Sequence, residues 1–238
     1  MTEERLYELI QEKEKRVSLA MPATMRKVYV WMTLALAITG FTAWMVADTG
    51  LWFSIASNRM LFWGMIITEL GLVFGISAGI NKLSMPVATL LFALYSIING
   101  AILSSIFIIY DIGSIASVFF IAAGMFAAMG VMGMVIKTDL SKFGNILLMG
   151  VVGLIIASLV NVFLLKSGMM SLIVSWIGVA IFAGLTMYDT QRIKKMLAAA
   201  DDTGDTTQKI ALLGALSLYL DFINMFIYLL RIFGGSRD

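Results

Sequence analysis

Apolar runs recur along this chain at 27–47, 61–80, 87–109, 115–136, 144–165, 172–189 and 210–233. Each is near the ~20 residues that cross a hydrocarbon core as a helix, and about twice what a membrane strand needs. Backbone groups inside a bilayer must be satisfied within the protein, so runs of this length are expected to be helices. The expected class is therefore all-α polytopic membrane protein, with seven transmembrane helices. Composition supports it: 60% of residues are hydrophobic and 13% charged, against about 45–50% and 25% in a soluble domain. The formal net charge of +2 is too small to draw nucleic acid. Cys and His are both absent. Disulfides and thiolate chemistry are excluded, and a pH response near neutrality must use carboxyls.

The segments around the runs divide the chain. Residues 1–25 are expected to be a cytoplasmic tail, 26–234 a seven-helix domain and 235–238 a short C-terminal tail. The first segment mixes Glu3, Glu4, Glu8, Glu12 and Glu14 with Arg5, Lys13, Lys15 and Arg16. It has no apolar core, so it is not a signal peptide, and a surface helix ending near Pro22 is expected. Between the sixth and seventh runs, Gln191–Lys209 reads as a helix running past the membrane surface and then a polar turn. With the N-terminus inside, thirteen Lys and Arg fall on the inner side and four on the outer. That asymmetry places the N-terminus in the cytoplasm and the C-terminus outside.

The last run carries an acid at its centre, Asp221. Gly214, Ser217, Asn224 and Tyr228 recur about it at steps of three and four, which puts all five on one helical stripe. Inserting a carboxyl at that depth costs about 2.5–3.5 kcal/mol, which makes it a candidate functional group. Two further acids fall within or at the edge of runs, Glu69 and Asp189. If the sixth helix ends near Ala199 and the seventh starts near Ala211, Asp189 and Asp221 each lie about 15 Å from the turn. They then stand at one height and can pair. Two adjacent carboxyls share a proton and titrate as a unit, so the pair works as a latch. Their oxygens also suit a hard cation such as Ca²⁺, held transiently.

Plainer readings stand beside this one. Asp189 pairs with Arg192 or Lys195 on its own helix, or marks the membrane boundary; Asp221 makes a neutral helix–helix hydrogen bond. Glu69 is a gate element or a neutral packing contact. Asn99, Asn145 and Asn161 read as glue between helices. Gly71, Gly75 and Gly79, and Gly150 with Gly153, read as faces of close helix approach. No enzyme constellation is present. The GLTMYD run ending at Asp189 lacks the glycine that an intramembrane aspartyl protease carries two residues before its acid, since Met187 stands there.

Three stretches, AGLTMYDTQRIK at 183–194, LYLDFINMFIYLLRIFG at 218–234 and the long run LYSIINGAILSSIFIIYDIGSIASVFFIAAGMFAAMGVMG at 94–133, resemble the transmembrane Bax-inhibitor motif family, closest to its bacterial branch. KTDLSKFGNILLMG at 137–150 fits too, and the resemblance runs from Arg26 to Gly234. It implies a central last helix with the six others around it in two three-helix layers. It also implies that Asp189 and Asp221 form a di-aspartyl pH sensor gating a calcium leak, with protons as regulator and no cofactor. Glu69 matches an acidic position near the same path, which Ser217 and Asn224 would continue. A basic partner for the pair would be Lys82 or Arg192. The implied setting is the inner membrane of a bacterium. The implied partners are lipid, calcium ions and, in an alternative reading, a membrane-bound ATP-dependent protease that the chain would regulate. Related chains often carry a proline where this one has Ser105.

Overall fold

A computed structural model describes the backbone of residues 3–200 and 204–235, with side chains from Ala23 onward and at Arg5. The described residues form the helices α1 (Glu3–Asp48), α2 (Leu51–Ser57), α3 (Arg59–Gly79), α4 (Met85–Leu103), α5 (Ile106–Ile109) and α6 (Ile112–Val135). Then follow α7 (Ser141–Val160), which ends in a π turn, α8 (Gly168–Ala199) and α9 (Asp205–Phe233). Seven spans are long and apolar enough to cross a membrane, one at each expected run. The expected surface helix does not stop at Pro22. α1 continues through it, and the remainder of a 46-residue helix carries the one backbone bond that the proline removes.

Local chemistry sets the boundaries. Asn58, Asp111 and Ser167 cap α3, α6 and α8 by accepting from Leu61 N at 3.1 Å, Ser114 N at 3.1 Å and Met170 N at 3.3 Å. The span that begins with α4 is interrupted at Ser104–Ser105 although no proline is there. Ser104 Oγ donates to Ala101 O at 2.7 Å and Ser105 Oγ to Ile102 O at 3.3 Å, competing with the ladder and bending it. Asn161 is not glue between helices. Its side chain clips Ser167 from both sides, at 3.0 and 3.1 Å, and closes the turn in which Lys166 takes φ 47°. Asn145 is exposed on α7.

The last span is the most buried, 67% of its apolar window against 39% or less in the others. Leu212, Ala215, Leu218, Tyr219 and Met225 on α9 have no solvent exposure. α8, α1, α6 and α4 pack on α9, while α3 reaches the bundle chiefly through α4 and α7 chiefly through α8. Close approaches occur where glycine removes a side chain. A Cβ at Gly133 would lie 2.4 Å from the Met187 carbonyl oxygen of α8, and one at Gly100 2.5 Å from that of Thr39 on α1. The face of Gly71 and Gly75 is not one of these seams. Both are exposed, and a Cβ on either would meet nothing within 4 Å. The reason is that α3 lies at the rim, with only 6% of its window buried. A Cβ at Gly150 would lie 2.8 Å from Ile181 Cδ1, whereas one at Gly153 would meet nothing within 4 Å.

Candidate functional site

The polar stripe of α9 lies along its seam with α8. As residue numbers rise on α9 they fall on the antiparallel α8. Ile193 fills the space at Gly214, with a Cβ there only 2.9 Å from Ile193 Cδ1. Tyr228 covers Gly178 and stacks on Phe182, ring centroids 6.0 Å apart. Asp221 and Asp189 lie between those contacts, on the two facing helices. Asp221 is 4% exposed, and its Oδ2 has no hydrogen-bond partner. Asp189 is half-buried and feels the charge of Arg192, one turn further along α8. α9 begins at Asp205, earlier than expected, so its first turns stand beyond the apolar run without displacing this register.

The remaining expected residues are distributed differently. Ser217 is half-buried on the seam. Asn224 turns back and donates to Leu220 O of its own helix at 2.8 Å. Lys82 is exposed in the turn after α3, on an element that reaches the bundle through α4 rather than α8, and it is not among the charges acting on either aspartate. Lys195 is engaged elsewhere, with Asp139 at 2.5 Å. Among the described residues no three acidic side chains gather into a group able to hold a metal.

Glu69 belongs to a second polar cluster, on the other side of α9. Asn99 Nδ2 of α4 donates to Glu69. Tyr219 donates to Asn99 Oδ1 at 2.8 Å and shares a hydrogen bond with Thr39 Oγ1 at 2.7 Å. Thr39 has one hydroxyl proton, which goes either to Tyr219 or to Ser96 O, 3.0 Å away. The cluster thus links α3, α4, α9 and α1. Tyr219 is two residues before Asp221, about 200° around the helix, so one turn of α9 carries both groups outward in nearly opposite directions.

A brace holds α8 just beyond Asp189. Gln191 Oε1 accepts from Leu140 N at 2.9 Å, while its Nε2 donates to Thr138 O at 2.9 Å and Ile136 O at 3.3 Å. Lys194 Nζ donates to Met134 O at 2.8 Å, so one carbonyl left over where α6 ends is satisfied from α8. Lys195 completes the grip: hydrogen bonding from it, and then from Ser141, holds the exposed Asp139 carboxyl well below the usual carboxylate range. Sequence reasoning found neither Gln191 nor Tyr219 nor Thr39. A buried tyrosine hydroxyl needs a partner, which was a usable signal for Tyr219. Thr and Gln carry none until the neighbouring helix is known.

The family model described as inhibitor of apoptosis-promoting Bax1 matches residues 21–238. Inner membrane protein YbhL of Escherichia coli strain K12 is 51% identical over 216 residues, covering 90% of this chain and 92% of that protein. An uncharacterized protein of Borreliella burgdorferi is 44% identical, covering 98% of this chain and all of its own length. An uncharacterized membrane protein of Streptococcus pyogenes serotype M6 is 36% identical, with 88% and 91% covered. With a seven-span helical fold and similarity of this extent, the chain is a membrane protein that belongs to the Bax inhibitor family.

Proposed function

We propose that the chain is a pH-gated leak for calcium, with Asp189 and Asp221 as the gate. The observation that carries this reading is the placing of two carboxyls on facing helices along one seam, Asp221 buried there with an Oδ2 that has no hydrogen-bond partner among the described residues. In a low dielectric two adjacent carboxylates repel strongly, so a proton between them is the low-energy arrangement. With that proton the seam between α8 and α9 stays shut. Its loss makes the pair repel, loosening α9 and offering oxygens to a cation. Ca²⁺ takes six to eight oxygens, in general. Two carboxyls supply a station that an ion passes, with Ser217 and Asn224 further along the seam and Glu69 a separate station across α9. This is transport rather than catalysis, regulated by protons and requiring no cofactor.

The test is calcium flux into proteoliposomes, followed from mildly acidic to mildly alkaline pH. Flux through the native chain rises with pH; Asp189→Asn and Asp221→Asn each flatten the profile toward one level. Native pH dependence in both variants refutes the gate. We place the protein in the inner membrane of a bacterium, as the name of the Escherichia coli relative supports. The Lys and Arg asymmetry supports a cytoplasmic N-terminus and an outer C-terminus, checked by reporter fusions at each end.

A second reading, a regulatory partner of a membrane-bound ATP-dependent protease, is favoured by the continuation of α1 from its span back to Glu3. At 1.5 Å per residue that arm reaches about 30 Å beyond Ala23. Removing residues 2–20 abolishes co-purification with the protease under this reading and leaves flux unchanged under the first.

A further inference from the structure

Independently of the carboxyl pair, the flank of the bundle holds a cleft between α1 and α6. Both helices pack on α9, but they hold each other only weakly. The larger part of the cleft, about 560 Å³, lies between Tyr29, Ala37 and Gly40 of α1 and Ala123 and Ala127 of α6, over Phe222 of α9. A second part, about 280 Å³, shares Gly40 and Phe222 and runs on toward Phe226. Small residues keep it open: a Cβ at Gly40 meets nothing within 4 Å. Its walls are apolar except at a few hydroxyls.

The dimensions and the charge at one end select an occupant. From Tyr29 to Gly40 the cleft follows eleven residues of helix, about 16 Å. That is half of the ~30 Å hydrocarbon core, the depth of one leaflet's chain. Arg26 lies three residues before Tyr29, on the stripe that lines the cleft, with Lys27 beside it; both are exposed. Lys137, also exposed, follows the same end of α6, and the nearby acid Asp139 is already engaged with Lys195. An apolar slot one leaflet deep, with cations at its mouth that pair with no acid among the described residues, matches a lipid that carries a negative headgroup.

We propose that this cleft binds one anionic phospholipid, an acyl chain lying between α1 and α6 and the phosphate resting on Arg26 and Lys27. The test is native mass spectrometry of the full chain in mild detergent, titrated with phosphatidylglycerol or phosphatidylcholine, with circular dichroism melting to establish that each variant is folded. The native chain retains one phosphatidylglycerol in preference to phosphatidylcholine. Replacing Arg26 and Lys27 together by Gln weakens that binding at least tenfold. Gly40→Leu, which fills the slot, abolishes it; Ala127→Phe serves if Gly40→Leu does not fold. Equal retention of the two lipids, or undiminished phosphatidylglycerol binding in a folded slot-filled variant, overturns the proposal.

Discussion

Gln191 and Asp139 show how much of this membrane protein is fixed by polar side chains near the ends of its spans. Gln191 is 6% exposed and spends both ends of its amide on the backbone leading into α7. Gln191→Leu keeps the bulk but strands the Leu140 N–H and the Thr138 carbonyl, so it lowers stability by about 1–3 kcal/mol, read from thermal melting in detergent. Asp139 gives a pH signature. Lys195 and Ser141 depress its carboxyl in the folded chain below its unfolded value. Its contribution is therefore complete above the unfolded pKa and is lost as pH falls through the folded one. On acidification the native melting temperature drops further than that of Asp139→Asn, as melts over a pH series would show. Asp221 and Asp189 were legible in the sequence because a charge in an apolar run has to be explained. Gln191 was not, because a glutamine beyond the end of a span looks like ordinary surface until the α6–α7 loop is placed against it.

Among the helices, the glycines separate what spacing tells from what it does not. Gly71, Gly75 and Gly79 have the regular spacing of a packing face, yet the first two look outward from a rim helix. Gly133, in a less conspicuous pattern, is where α6 presses on the backbone of α8. Spacing identifies a smooth face; only the fold decides what lies on it. Gly133→Ala therefore costs about 1–3 kcal/mol, because a carbonyl rather than a flexible side chain must yield. Gly75→Ala instead stabilises by about 0.5–1 kcal/mol, through reduced backbone freedom alone. Parallel melting of the two variants gives shifts of opposite sign. The break at Ser104–Ser105 teaches the same lesson from the other direction. Two hydroxyls returning to their own helix interrupt it where no proline stands.

On the scale of the whole molecule, the seven spans and the burial of the last one were legible from hydropathy and from a polar stripe that lipid would not tolerate. What that stripe faces was legible only as far as α8, since matching heights across a short turn are a local inference. The partners on the opposite side of α9 come from α1, α3 and α4, more than a hundred residues away in sequence, and no local pattern announces them. Tyr219 and Asp221 leave a single turn of α9 in opposing directions. That makes the helix a shaft keyed on both sides, which cannot revolve to release one key without straining the other. Second-site changes that restore a normal flux profile to a weakened Asp221 variant are then expected at Thr39 or Asn99, across the bundle, as well as on α8. Suppressors confined to α8 would show that the shaft slides along its axis rather than turns.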